Sequence, residues 1–350
     1  MAGGSDIRID LVSDTATRPT PAMRKAMAEA EVGDEQRGED PSVTALNERV
    51  AALLGQEAAL FLPSGTMCNQ VAIATHCRPG DEIIAAEASH IVDAEGAGAA
   101  VFAGCFVRSI ACARGVFSAE DVRRCLRRPG VKAPRSRLLA VEQTNNRGGG
   151  TVWRPEEIAE LVRFAHDRGL ALHMDGARLM NAVVASGVPA AEHAGAFDSA
   201  WLDLSKGLGC PVGGVLAGSK AFIEEANRWK HRFGGAMRQA GILAAAGLYA
   251  LDHNVERLSE DHDHASLLAE RIAEAPGLRL EPPEVETNMV FFDVAGTGTT
   301  ARALADGLLE RGVRVGVESE SRLRAVTHLD VDRRAVEDAA DLIVRIASGR

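Results

Sequence analysis

The stretch RLLAVEQTNNRGGGTVWRPEEIAELVRFAHDRGLALHMD, from Arg137 to Asp175, carries the pattern that decides the fold. It begins and ends with apolar runs of strand length, Arg137 to Gln143 and Leu170 to Asp175. Between these runs apolar residues recur at helical spacing from Ile158 to Ala165, and Gly169 provides a stop. This strand–helix–strand unit predicts an α/β domain with a mostly parallel sheet.

Polar residues stand at the ends of the predicted strands, where an open parallel sheet binds its ligands. Asp175 ends the second strand, and a third predicted strand, Ser199 to Ser205, is followed by Lys206 and the turn GLGCPVGG. A partly desolvated lysine is suited to Schiff-base chemistry, and a buried carboxylate can keep a pyridine nitrogen protonated. The alternatives are a solvated lysine and an aspartate that only caps a helix.

A third element is FLPSGTMCNQVAIATH, which reads as a strand, a turn and a helix. The first backbone N–H groups of that helix, with the hydroxyls of Ser64 and Thr66, would form a cup for a phosphate. The alternative is an ordinary helix cap. An amine, a carboxylate and a phosphate cup together are the three contacts that pyridoxal 5'-phosphate (PLP) requires.

Composition excludes several classes of protein. The chain has 350 residues and a formal net charge of -10, which disfavours nucleic-acid binding because such affinity depends on basic side chains. No apolar run is long enough to span a membrane, and the N-terminal residues do not resemble a signal peptide. The six cysteines form no C-x-x-C pair. We therefore expect a cytoplasmic protein with reduced thiols, without nucleic-acid or membrane partners.

The length predicts a large domain and a smaller companion. We expect a large α/β domain over residues 1–255, including an N-terminal arm, and a smaller C-terminal α+β domain over residues 256–350. Between Arg238 and Gly277 the pattern predicts one long helix or two in succession. GAGAAVFAG does not fit the dinucleotide-binding G-x-G-x-x-G pattern. His262 and His264 would point to different faces of a helix, so no metal site is predicted.

Over nearly its whole length the sequence resembles the low-specificity L-threonine aldolase family, which are PLP-dependent enzymes of fold type I. The stretches that carry the resemblance include DLVSDTATRPT, FLPSGTMCNQ, LHMDGARLMNAVVA, FDSAWLDLSKGLGCPVGGVLAG and GGAMRQAGILAAAGLYAL. The combination of LSKGLG with DGAR upstream and GGxMRQ downstream is highly specific. The resemblance implies the PLP-dependent transferase-like fold for the large domain.

The resemblance also implies roles for single residues. Lys206 would carry PLP as a Schiff base, Asp175 would contact the pyridine nitrogen, and His90 would stack on the ring and take the proton of the substrate hydroxyl. The other implied ligands of cofactor and substrate share polar or small side chains. For the cofactor they are Ser64, Gly65, Thr66, Arg178 and Arg238, the last from a neighbouring subunit, and for the substrate carboxylate they are Ser13, Arg178 and Arg324.

Four positions depart from the family pattern around the expected β-substituent pocket. Arg37 stands where the family commonly has a tyrosine, and Ala94 stands in place of an aromatic residue. Asn145 replaces a histidine and His231 replaces another basic residue. None of these changes touches the residues expected to hold the cofactor. The resemblance therefore predicts the cofactor and leaves the preferred side chain of the substrate open.

The activity implied by the resemblance is aldehyde lyase chemistry. A β-hydroxy-α-amino acid such as L-threonine or L-allo-threonine would be cleaved to glycine and an aldehyde in a homodimer or homotetramer with shared active sites. Another PLP reaction on the same scaffold, such as aldol transfer, β-elimination, racemisation or transamination, is the main alternative. A binding protein built on an inactive PLP fold is a further alternative, disfavoured by the presence of both Lys206 and Asp175.

Overall fold

The computed structural model describes residues 7–349 and divides them into two compact units. The larger unit is Pro19–Val255, and the smaller one joins the chain up to Arg18 with the chain from Glu256 onward. The expected domain boundary also followed residue 255. The N-terminal stretch, however, groups with the smaller unit instead of forming an arm of the large domain, because Ile9 and Asp10 pair in parallel with Val313 and Arg314.

The strands are numbered in chain order. They are β1 Ile9–Asp10, β2 Ala58–Leu62, β3 Asp81–Ala86, β4 Phe106–Ile110, β5 Arg135–Glu142, β6 Ala171–Gly176, β7 Ser199–Asp203, β8 Gly214–Gly218, β9 Arg279–Leu280, β10 Met289–Asp293, β11 Val313–Arg314, β12 Gly316–Val317 and β13 Arg322–Val326.

The helices are numbered in the same way. They are α1 Pro21–Ala28, α2 Pro41–Leu54, α3 Gly65–His76, α4 His90–Asp93, α5 Gly98–Ala103, α6 Ala119–Cys125, α7 Pro155–His166, α8 Leu179–Ser186, α9 Ala190–Ala194, α10 Lys220–Arg232, α11 Gly241–His253, α12 Leu258–Ala273, α13 Ala301–Leu309 and α14 Arg333–Ala347.

The larger unit is built on a seven-stranded sheet in the order β2-β8-β7-β6-β5-β3-β4. Every neighbouring pair is parallel except the two that involve β8, which is antiparallel to both β2 and β7. The three strands predicted from the sequence appear as β5, β6 and β7, and the helix between the first two appears as α7. The predicted α/β fold with a mostly parallel sheet is confirmed.

The strands β6, β7 and β8 are buried along their whole length, as strands covered on both faces must be. α7, by contrast, is buried on one side only. Ile158, Leu161, Phe164 and Ala165 form one buried stripe, Pro155 occupies the first turn, and Glu157 bonds back to the N-cap backbone of Arg154. These local rules set the parallel strands side by side with their carboxyl ends at one edge.

The smaller unit is an α+β arrangement. A four-stranded antiparallel sheet, in the order β12-β13-β10-β9, packs with α12, α13 and α14 around a core that includes Leu268, Phe292, Leu304 and Ile343. The chain that enters this unit is helical in two successive pieces, α11 and α12, which is one of the two predicted possibilities. Within residues 7–349 we find no helix with the length and apolarity to cross a bilayer.

Candidate active site

The edge formed by the carboxyl ends of β5, β6 and β7 gathers acidic residues. Glu142 of β5 pairs in register with Asp175 of β6, and Asp175 pairs with Trp201 of β7. β7 ends at Asp203, and Lys206 follows three residues later. The strand-end residues that the sequence singled out therefore lie at one edge of the sheet.

Lys206 lies beside a carboxylate. Its Nζ is 2.7 Å from Oδ2 of Asp203, and only 18% of the Lys206 side chain and 5% of the Asp203 side chain are exposed. The other oxygen of Asp203 accepts hydrogen bonds from the backbone N–H and the hydroxyl of Ser205, both at 2.9 Å. The Lys206 amine also lies 5.8 Å from the centre of the Trp201 ring. This amine is partly desolvated, as the sequence pattern predicted.

Asp175 is buried, and both of its carboxylate oxygens accept hydrogen bonds. Oδ1 accepts from the backbone N–H of Ala177 at 3.0 Å, and Oδ2 accepts from Nδ2 of Asn69 at 2.8 Å. Burial raises the pKa of Asp175, whereas the positive charge of Lys206 and the Asn69 hydrogen bond lower it. The capping alternative accounts for one oxygen only, because the second faces a buried amide.

His90 begins α4 and leaves 39% of its side chain exposed. Its Nδ1 is 2.8 Å from Oε1 of Glu95, and its backbone N–H donates to Oε2 of Glu142 at 2.8 Å. The second Glu142 oxygen accepts from the backbone N–H of Asn146 at 2.9 Å. Burial and the nearby Asp175 raise the pKa of Glu142 to about 7. Glu142 thus accepts hydrogen bonds from the backbone of two segments at the sheet edge, one at His90 and one at Asn146.

The start of α3 is where the sequence predicts an anion cup. Ser64 is the N-cap, and its hydroxyl accepts from the N–H of Met67 at 3.2 Å, which is the ordinary capping role. Gly65 and Thr66 begin the helix, and the first N–H groups of a helix have no carbonyl partner within it. A Cβ on Gly65 would come within 2.3 Å of the Trp201 ring. Only glycine fits here without displacing that ring.

The three residues expected at the substrate carboxylate lie in different units. Arg178 is buried in the larger unit at the start of α8, and its backbone N–H donates to the carbonyl of Gln143 at 3.1 Å. Ser13 and Arg324 belong to the smaller unit. Ser13 caps a short 3-10 helix, and Arg324 donates to the carbonyl of Val12 at 3.0 Å and lies 3.4 Å from Glu318.

Two loops of the larger unit, residues 33–38 and 234–239, are hydrogen-bonded to each other. We call them the paired loops. Arg238 Nη1 lies 2.8 Å from Asp34 Oδ2, and the backbone N–H of Glu35 donates to the carbonyl of Arg238 at 3.0 Å. Beneath them Lys230 Nζ is 2.6 Å from Glu35 Oε1, with 4% of each side chain exposed. Arg238 itself is 61% exposed and presents its guanidinium at the surface of this chain.

The four departures from the family pattern fall into two environments. Arg37, Ala94 and His231 are exposed, and Arg37 lies 3.8 Å from Asp34. Asn145 is wholly buried, and its Oδ1 accepts from the backbone N–H of Gly148 at 2.8 Å. The Asn145 side chain therefore stabilises its own turn.

Sequence reasoning missed four polar residues of this region: Asn69, Glu95, Glu142 and Asp203. Asp203 had a usable signal, because it stands at the end of a predicted strand three residues before Lys206. Asn69 had none, since its partners Glu95 and Asp175 are 26 and 106 residues away along the chain.

Comparison with known proteins shows the sequence family of this chain. A sequence model of the beta-eliminating lyase family matches residues 10–295. The low specificity L-threonine aldolase of Escherichia coli K12 is 44% identical over 333 residues, which cover 95% of this chain and 97% of that protein. The low-specificity L-threonine aldolase 1 of Arabidopsis thaliana is 41% identical over 325 residues, 91% of each chain.

Solved structures share the fold at lower identity. The threonine aldolase of Leishmania major has a TM-score of 0.83 at 19% identity, covering 97% of this chain and 99% of that one. The aspartate aminotransferase of Rhizobium meliloti has a TM-score of 0.71 at 14% identity, covering 97% and 91%. The shared fold, together with the family model and the sequence relatives, defines a PLP-dependent enzyme of fold type I. Within that class, the chain belongs to the low-specificity L-threonine aldolase family.

Proposed function

We propose that this enzyme is a PLP-dependent lyase that cleaves L-threonine, L-allo-threonine or a related β-hydroxy-α-amino acid to glycine and an aldehyde. One observation carries the proposal. The half-buried amine of Lys206, the buried carboxylate of Asp175 and the half-exposed imidazole of His90 are positioned by one sheet edge and its hydrogen bonds. The family membership supports the same activity.

The residues present fit PLP. Lys206 offers an amine, Asp175 a buried carboxylate for the pyridine nitrogen, and the start of α3 a set of N–H groups for the phosphate. At Gly65 any Cβ would strike the Trp201 ring, so glycine lets the first turn of α3 pack closely against β7. Thr66 and Ser64 are exposed and add hydroxyl donors. When bound, PLP supplies an electron sink for the negative charge that develops at the substrate Cα.

The protein's own groups would divide the remaining tasks. The imidazole of His90 would take the proton of the β-hydroxyl as the Cα–Cβ bond breaks, a task that suits a base with a pKa near neutrality. The guanidinium of Arg178 is shaped for bidentate binding of the α-carboxylate. Ser13 and Arg324 keep the role of carboxylate ligands as predictions from the family resemblance.

We further propose a cytoplasmic homodimer or homotetramer in which Arg238 contributes to the cofactor site of a neighbouring subunit. The exposure of its guanidinium and the anchoring of its loop by Asp34 and Glu35 support this role. Size-exclusion chromatography with light scattering tests it, and an active monomer at assay concentration would contradict it.

The decisive experiment identifies the products. Purified enzyme loaded with PLP is incubated with L-threonine, L-allo-threonine and β-phenylserine, and the released aldehyde and glycine are quantified by mass spectrometry. We expect equal amounts of glycine and aldehyde. Ammonia and 2-oxobutanoate formed from threonine would instead establish β-elimination, the main alternative on this scaffold.

A further inference from the structure

Asn69, on α3, lies at the centre of a buried hydrogen-bond network. Its Nδ2 donates to Oε1 of Glu95 at 2.7 Å and to Oδ2 of Asp175 at 2.8 Å. Its Oδ1 accepts from Nε1 of Trp201 at 2.8 Å and lies 3.0 Å from Nε2 of His173. Both donors and both lone pairs of the amide are used. The orientation of this amide is therefore fixed, with its NH₂ group between two carboxylates.

Glu95 is the second member of the network, and its side chain has no exposed surface. Oε1 receives Asn69 and lies 2.8 Å from Nδ1 of His90, while Oε2 accepts from Nε2 of Gln70 at 2.5 Å. These partners are two amides and an imidazole, so none of the hydrogen-bond partners of Glu95 within residues 7–349 is a permanently charged cation. Such a carboxylate stabilises a proton on the neighbouring ring.

The contact with Glu95 assigns the tautomer of His90. A carboxylate accepts hydrogen bonds, so Nδ1 carries the hydrogen and Nε2 is the nitrogen left to accept a proton. The hydrogen bond from Glu95 raises the pKa of His90, as do the charges of Asp175 and Glu142, against the opposing effect of burial.

We propose that Glu95, held by Asn69 and Gln70, is a positioning residue for His90. Its hydrogen bond keeps the ring hydrogen of His90 on Nδ1, which leaves Nε2 as the proton acceptor. The Asn69 amide couples Glu95 to Asp175. The proposal rests on the proposed function for the identity of the proton that His90 takes. The network itself is independent of that identity.

Glu95→Gln is the variant that separates charge from packing. A glutamine oxygen in place of Oε1 can still accept from Asn69 and His90, and its NH₂ would then face Gln70. The Oε1 of Gln70 is buried without a hydrogen-bond partner among the described residues, so rotation of the Gln70 amide supplies an acceptor. The variant therefore removes one negative charge and can retain every hydrogen bond of the network.

The first measurement does not depend on catalysis. The Cε1–H resonance of His90, identified by its absence in His90→Gln, is titrated by NMR in the PLP-loaded protein. We expect its midpoint to fall by about one pH unit or more in Glu95→Gln, because the opposite charge that favours the protonated ring is gone. Glu95→Asp, which keeps the charge, should restore part of the difference. Glu82→Gln is the matched control, because Glu82 is equally buried but pairs with Arg127.

The second measurement is the pH profile of kcat/KM. A base with a raised pKa is lost at a higher pH on acidification, so Glu95→Gln should shift the acid limb to lower pH by about the same amount as the NMR midpoint. Equal His90 midpoints in the wild type and Glu95→Gln would overturn the proposal. If the midpoint moves but no substrate yields an aldehyde, the positioning role stands and the proposed function fails.

Discussion

The network around Asp175 and the paired loops at residues 33–38 and 234–239 are both polar, but they differ in what holds them. Around Asp175 neutral donors such as Asn69 and Ala177 satisfy a buried carboxylate. In the paired loops ion pairs dominate, from the buried Lys230–Glu35 pair to the exposed Arg238–Asp34 pair. Neutral hydrogen-bond donors leave the charge of a buried carboxylate available to shift the pKa of a neighbouring group. Ion pairs neutralise that charge and hold a loop in place.

The largest effect should come from removing the amine at the sheet edge. Lys206→Ala should lose covalent PLP and several orders of magnitude of kcat, because no other amine follows this strand. Mass spectrometry after borohydride reduction measures the attachment, with Lys220→Ala as the control at an exposed lysine. Covalent PLP retained by Lys206→Ala would show that the amine lies elsewhere.

Next in size is the loss of charge inside the network. Asp175→Asn should bind PLP but lose about 100- to 1000-fold in kcat, since a neutral amide cannot stabilise a protonated ring nitrogen. Only one oxygen remains to accept from both Ala177 and Asn69, so one of these bonds is also lost. Steady-state kinetics checks the effect against Asp81→Asn, a carboxylate paired with Arg135. A near-normal kcat would mean that Asp175 only caps a helix and does not act on the cofactor.

The paired loops should respond in stability. Lys230→Met leaves the Glu35 carboxylate buried without its cation, which costs about 3–5 kcal/mol. Arg238→Met breaks the exposed pair with Asp34 and should cost about 0–1 kcal/mol. Urea unfolding of both variants compares the two costs. Similar losses would show that burial does not distinguish the two pairs.

The smallest effect concerns substrate preference. If Arg37 adds positive charge beside the β-substituent, Arg37→Tyr should lower kcat/KM for β-hydroxyaspartate relative to L-threonine by about 10-fold. Arg49→Tyr, which removes an exposed arginine paired with Asp252, is the control. The four departures around the expected pocket also lead us to expect that a bulky or acidic β-hydroxy-amino acid competes well with L-threonine. Rates for both threonines, β-phenylserine and β-hydroxyaspartate test this prediction. A clear preference for the two threonines in the wild type would refute that prediction.

The sequence predicted the parallel sheet because strand and helix periods in β5, α7 and β6 are local properties of the chain. It likewise placed Asp175 and Lys206 at one sheet edge, since parallel strands share the position of their carboxyl ends. It did not predict that Glu95 binds His90 or that Asn69 bridges two carboxylates. Those contacts depend on side-chain directions and on segments brought together by the fold, and neither has a period that a sequence displays.

The position of Asn69 has an evolutionary consequence. Aspartate there would set three carboxylates against one another, and leucine would leave the Trp201 N–H and Oδ2 of Asp175 without the partner that Asn69 provides. Glutamine would carry its amide one methylene further from the backbone than these partners require. Each single change therefore disrupts the network before any second change can compensate for it. We expect this asparagine to be retained wherever Glu95, Asp175 and Trp201 occur together, and to be replaced only in lineages that alter several of these positions at once.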